Sequence, residues 1–225
     1  MTRRLGMVTV GQSPRTDILP AMMEEIGQDV EVIEGGALDG LSLEEVRSLS
    51  PTGDEVRLCT RLFDGTEVVV AKERIIPMVQ AKIDELNVGG VELIVLLCTG
   101  HFPRFESTCL VLEAQKIVDR CVEAVIGDRN RMGLVVPLRE QGEQARQNLS
   151  HITPHITAVN ASPYGSLDEV ARAAGILKER NVDLVVMHCM GFTNDHRRVM
   201  RELTGKPVIL ANSLVARITG ELLQT

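Results

Sequence analysis

Two cysteines, Cys98 and Cys189, stand at the ends of two stretches built on one plan. Val91-Glu92-Leu93-Ile94-Val95-Leu96-Leu97-Cys98-Thr99-Gly100 and Val182-Asp183-Leu184-Val185-Val186-Met187-His188-Cys189-Met190-Gly191 each run Val, acid, aliphatic segment, Cys-x-Gly. A thiolate can take a proton from carbon and a thiol can return one. Two thiols on opposite faces of one carbon would therefore invert it without a cofactor. The Gly after each pair lets backbone or ligand approach closely. Behind Cys189 a helix starts at Thr193 or Asn194, and a helix N-terminus lowers a thiol pKa, so Cys189 is expected to be the more reactive. The remaining cysteines, Cys59, Cys109 and Cys121, fall in a hairpin, a strand and a helix and read as packing residues. No metal is implied. Cys-x-x-Cys is missing, and Pro154 breaks the only i, i+4 histidine pair, His151 and His155.

Composition sets the frame for that chemistry. Of 225 residues 44% are hydrophobic, but only 2% are aromatic and none is Trp. The core must be aliphatic, which suits sheets covered by helices and excludes base-stacking platforms. Net charge is −7 and the basic residues are scattered, so neither nucleic acid nor an anionic membrane is an expected partner. No apolar h-region follows Arg3-Arg4, and no apolar run reaches the ~20 residues of a membrane span. With an odd cysteine count, the expectation is a cytoplasmic chain with reduced thiols.

The elements that carry the cysteines follow from the same stretches. Each aliphatic segment is too short for a helix and rich in β-branched residues, so it reads as a buried parallel strand. Cys and Gly then fall at the strand's carboxyl end, the edge where open parallel sheets bind ligands. In chain order, a strand at 3–10 leads into the loop Gly11-Gln12-Ser13-Pro14-Arg15-Thr16, with Asp17 as cap of the next helix. A strand at 29–33, a glycine-rich loop at 34–40 and a short helix capped by Ser42 follow. Alternating runs at 56–63 and 66–71 around Asp64-Gly65 predict a hairpin inserted into the parallel plan. A helix at 73–87 precedes the first Cys strand, and a strand at 108–112 and a helix at 114–125 come after it. Arg131-Met132-Gly133 then echoes Arg4-Leu5-Gly6 and the plan restarts. A helix at 139–148, a strand at 156–160 and a helix at 168–180 lead to the second Cys strand. A helix at 194–203 stops at Gly205, a strand occupies 207–211, and Ser213 caps the last helix. The expected fold class is α/β: two pseudo-symmetric three-layer α/β/α lobes with mainly parallel sheets and a β-hairpin insertion in the first. The expected boundaries are 1–112 (hairpin 56–71), 113–212, and a C-terminal helix at 213–225 packing back on the first lobe.

The loop after the first strand precedes a helix N-terminus, where free N–H groups favour an anion. Gln12 and Ser13 belong to it, and Arg15 offers a bidentate contact to a carboxylate. A GxxxxGK phosphate loop is absent. Thr99, Gly100, Met190 and Gly191 adjoin the thiols, and Asn212 follows the last strand on the same edge, so all five are candidate substrate contacts. His188 alternates away from Cys189 along its strand and reads as a core histidine, while His101 lies in the loop after Cys98, where it could tune that thiol.

The paired Cys-x-Gly strands resemble the aspartate/glutamate/hydantoin racemase superfamily. The Gly11-Gln12-Ser13-Pro14-Arg15 loop, Gly36-Ala37-Leu38-Asp39-Gly40, the Asp64-Gly65 hairpin, Cys189-x-Gly191-Phe192 and Ala211-Asn212-Ser213 are similar to the AroM-like family within it. The resemblance implies two α/β lobes with one catalytic cysteine each, no cofactor, and a small carboxylate as ligand. A racemase or epimerase is the leading expectation. A decarboxylase or cis–trans isomerase of the same superfamily, or a non-catalytic carboxylate-binding protein, is the alternative, and a homodimer is one assembly open to the chain. The racemases carry Asn-Thr after the first cysteine and Thr-His after the second; Thr99-Gly100 and Met190-Gly191 stand here, so an amino-acid substrate is not implied.

Overall fold

The computed structural model describes residues 2–27 and 29–224. The chain divides into two compact units, Met1–Gln115 with Ala216–Thr225, and Lys116–Val215. In the first, β1 (Arg3–Thr9), β2 (Val30–Gly36), β5 (Leu93–Leu96) and β6 (Leu110–Glu113) form one parallel sheet in the order β2-β1-β5-β6. In the second, β7 (Met132–Val136), β8 (Ile156–Asn160), β9 (Leu184–Met187) and β10 (Val208–Leu210) form a parallel sheet in the order β8-β7-β9-β10. The two orders are the same. Between them β3 (Arg57–Arg61) and β4 (Glu67–Ala71) make a separate antiparallel hairpin.

Small residues and acids explain why the repeat takes this shape twice. Glu92, the acid before β5, accepts a hydrogen bond from the Arg4 backbone N–H at 3.3 Å, and its own N–H donates to the Arg4 carbonyl at 2.8 Å. Asp183, the acid before β9, does the same with Arg131, at 2.8 and 2.7 Å. These bonds set the register of each Cys strand against the first strand of its unit. A Cβ at Gly6 would lie 2.9 Å from Leu86, and one at Gly133 the same distance from Leu177, so both glycines allow close helix–sheet packing.

The helices are α1 (Leu19–Ile26), α2 (Leu43–Ser48), α3 (Lys72–Val88), α4 (Ala114–Val125), α5 (Gln141–Leu149), α6 (Leu167–Glu179), α7 (Asn194–Thr204) and α8 (Ala211–Leu223). On one face of the first sheet Val8, Ile94 and Leu96 pack with Ile75, Val79 and Ile83 of α3, and Cys98 lies against that cluster. On one face of the second sheet Val135, Val185 and Met187 pack with Ala173, Leu177 and Met200 of α6 and α7, and Cys189 lies against them. The C-terminal residues of the first unit pack on α1: Arg217 of α8 pairs with Glu25 at 3.0 Å, and Gln224, one residue past α8, donates to the Ile26 carbonyl at 2.8 Å. Among the described residues no helix is long and apolar enough to cross a membrane.

Two expected caps are not caps. Ile18, without a side-chain bond, holds the N-cap position of α1, because the Asp17 carboxylate turns to arginines instead. Ser213 lies inside α8, which begins at Ala211 directly after β10, and its hydroxyl accepts from Arg197 at 3.4 Å. Cys109 sits just before β6 and not within it.

Candidate active site

In the first sheet the strand order reverses direction between β1 and β5, and in the second between β7 and β9. The carboxyl ends of such a strand pair frame the crevice in which open α/β sheets bind ligands. Both cysteines stand there, in matching register. Leu97, one residue past β5, donates to the Val8 carbonyl at 2.8 Å, and His188, one past β9, donates to the Val135 carbonyl at 2.9 Å. Cys98 and Cys189 are each the next residue, where the ladder lets the chain go.

Around Cys98 the edge is built from four segments. The Gly100 N–H donates to Cys98 Sγ at 3.4 Å, and Leu58 of the hairpin lies over Gly100. Thr99 between them is buried. The loop after β1 is pinned by the same hairpin: Gln12 N–H donates to the Arg61 carbonyl at 3.1 Å, and Phe63 N–H donates to Gln12 Oε1 at 3.0 Å. A Cβ at Gly11 would collide with Thr60 Oγ1 and the Arg61 carbonyl, so only glycine lets loop and hairpin meet. Ser13 gives its N–H and hydroxyl to the two oxygens of Asp39 at 2.7 and 2.6 Å. Asp39, in the glycine-rich loop after β2, also accepts from Gly36 N–H.

Arg15 is 2% exposed, and its guanidinium fork is occupied by Asp17: Nε and Nη2 donate to the two carboxylate oxygens at 2.8 and 2.7 Å, and Nη1 donates to Thr9 Oγ1. Arg61 stands 3.6 Å from the same carboxylate. Burial alone would raise the Asp17 pKa, but the Arg15 hydrogen bonds and charge, with Arg61, bring it below the usual carboxylate value. The N–H groups of Gln12 and Ser13, read from the sequence as anion donors, are likewise taken by the protein.

Around Cys189 the edge is a clamped turn. Asn212 is buried and donates through Nδ2 to the carbonyls of Met190 at 3.0 Å and Phe192 at 2.5 Å. Met190 and Phe192 are themselves buried. Gly191 lies under Pro163 and Tyr164, the loop after β8; a Cβ there would stand 2.8 Å from the Tyr164 hydroxyl oxygen. Thr193 then caps α7 with His196, whose Nδ1 accepts from the Thr193 N–H at 2.9 Å. His188 points to the opposite side of the sheet from Cys189, where Nε2 lies 2.9 Å from Asp119 of α4.

The structure thus gathers Gln12, Ser13, Arg15, Cys98, Thr99 and Gly100 at one sheet edge, and Cys189, Met190, Gly191 and Asn212 at another. Sequence reasoning missed Leu58, Thr60, Arg61, Asp119 and Tyr164, and it read Asp17 as a helix cap and Asp39 as part of a loop motif without their partners Arg15 and Ser13. Tyr164 is the chain's one tyrosine, and Asp119 is an acid beside Val118 and Val122 on the apolar side of α4; both were available signals.

The family model described as AroM protein matches residues 5–223. No curated protein matches the chain in sequence. Among solved structures, the glutamate racemase of Francisella tularensis, bound to D-glutamate, superposes with a TM-score of 0.63 at 11% identity, covering 99% of this chain and 81% of its own. Aspartate racemase of Picrophilus torridus gives 0.59 at 13% identity over 98% of this chain and 94% of its own. An unliganded arylmalonate decarboxylase gives 0.58 at 14% identity over 99% and 92%. Its family match, its two like-ordered parallel sheets and these neighbours together show that the chain belongs to the AroM family and has the fold of the aspartate/glutamate racemase superfamily.

Proposed function

We propose that the protein is a cofactor-independent racemase- or epimerase-like enzyme acting on a small carboxylate, with Cys98 and Cys189 as base and acid on opposite faces of one carbon. The observation that carries this reading is the shared register of the two thiols, each one residue beyond the last ladder bond of the middle strand pair in its unit. A thiolate removes the proton α to the carboxylate, the electron pair passes into the carboxylate, and the other thiol protonates the opposite face. A backbone N–H such as that of Gly100 favours the charged form of the sulfur it reaches. Thr99, Gly100, Met190 and Gly191 contact the substrate in this reading. Gln12, Ser13, Arg15 and Asn212, whose polar groups are engaged with the protein, act by holding the loops.

The test is α-proton exchange into deuterium oxide, run over a panel of small carboxylic acids. The two-thiol reading expects exchange at an α-carbon and its loss in both Cys98→Ala and Cys189→Ala. A second reading is favoured by the likeness to a decarboxylase: carbon dioxide leaves a malonate-type acid and a single thiol protonates the resulting carbanion. That reading expects gas release that one of the two variants retains. Carboxylate binding with neither exchange nor gas release would leave a non-catalytic binding protein.

A further inference from the structure

The second unit holds a cavity of about 390 Å³ that shares no residue with the Cys189 turn or Asn212. It opens beside the outer strand β8, with Val136, Val159 and Ile176 among its apolar lining and Arg139 and Arg172 at its polar side. Its volume lies within the roughly 300–1,000 Å³ of small-molecule sites. Arg139 sits in the turn between β7 and α5, and Arg172 sits on α6. Both are exposed, and neither guanidinium has a hydrogen-bond or ion-pair partner among the described residues. Gly142 of the first turn of α5 also lines the cavity, and that helix has no side-chain cap. One acid shares the cavity, Glu169, which accepts the Ser162 N–H at 3.0 Å. Two cations and one anion leave a single positive charge to be met.

We propose that this cavity binds a small aliphatic monocarboxylate, its headgroup held by Arg139 and Arg172 and its hydrocarbon laid on Val136, Val159 and Ile176. A guanidinium matches a carboxylate through two parallel hydrogen bonds, and the excess of one charge selects a monoanion over a dianion. The site is separate from the thiols and does not rest on their chemistry.

Titration of the isotope-labelled full chain with hexanoate, hexanol and inorganic phosphate, followed by amide chemical shifts, tests the proposal. Hexanoate should shift amides in 136–142, 158–160 and 169–176, and hexanol and phosphate should each bind at least tenfold more weakly there. Arg139→Gln combined with Arg172→Gln should weaken hexanoate at least tenfold, and Arg139→Lys with Arg172→Lys should recover part of the loss. Cys98→Ser and Cys189→Ser should leave these shifts unchanged, which separates this site from the thiol-bearing edges. Equal binding of hexanol, tighter binding of phosphate, or hexanoate shifts that survive the double Gln variant would each overturn it.

Discussion

Asn212 directs both amide hydrogens to the carbonyls that flank Gly191, and so fixes the turn behind Cys189. Replacing it with Ala leaves two buried carbonyls short of a donor, at a cost of about 1–3 kcal/mol. Urea unfolding should show that loss, and alkylation should show an altered rate at Cys189 with Cys98 unchanged. Gly11→Ala should be comparably damaging, about 1–3 kcal/mol by overpacking, because one of the atoms its Cβ would strike is a backbone carbonyl that cannot swing aside. A lowered melting temperature is the readout; an unchanged one would mean that the hairpin does not press on the loop. Neither constraint was legible in the sequence as a contact. The thiols were, because their neighbours repeat along the chain. Asp39 was not tied to Ser13, since nothing local links residues 26 positions apart. Arg15 and Asp17 are two residues apart, yet their types suited a ligand contact and a helix cap as well as each other; burial decided the matter.

At the scale of elements the sequence was far more informative. Strand, helix and hairpin positions follow from apolar periodicity and from turn dipeptides, signals that lie within a few residues of where they act. Gly205, at φ 66°, ends α7 where expected. At β10 and α8, which abut with no loop, no turn residue marks the join, and the helix start was placed late at Ser213. The N-terminus of α7 carries a prediction of its own. His196 is buried, and burial is the chief cause of its pKa falling below 6.5, opposed by the charge of Asp195. Its Nδ1 must be unprotonated to accept the Thr193 N–H. The folded state therefore holds the neutral imidazole, and the unfolded chain binds the proton more readily. Stability from this group is complete above the unfolded value of 6.5 and declines as pH falls below it, toward the lowered folded value. Urea midpoints measured from pH 7.5 down to 5 should fall more steeply for the parent chain than for His196→Gln. Parallel slopes would remove His196 as the cause.

On the scale of the whole molecule, the internal duplication is visible in strand order and register alike, and the family match spans it from end to end. Yet the two units are not two consecutive lengths of chain. The boundary falls after Gln115, in the first turn of α4, and again after Val215, in the first turns of α8. Each of these helices leaves the sheet whose last strand leads into it and joins the other unit.

That crossing has a consequence for synthesis. Domains generally complete themselves in the order in which they leave the ribosome. Here the unit that begins first must finish last, because Ala216–Thr225 belongs to it, while Lys116–Val215 is continuous and can close earlier. A chain ending at residue 215 should resist protease across 132–210 and be cut readily within 3–96. Equal protection of both segments would mean that the first unit closes without its final helix. Until 216–224 emerge, the nascent protein would present the bare flank of α1, with Ile26 and Glu25 still waiting for Gln224 and Arg217.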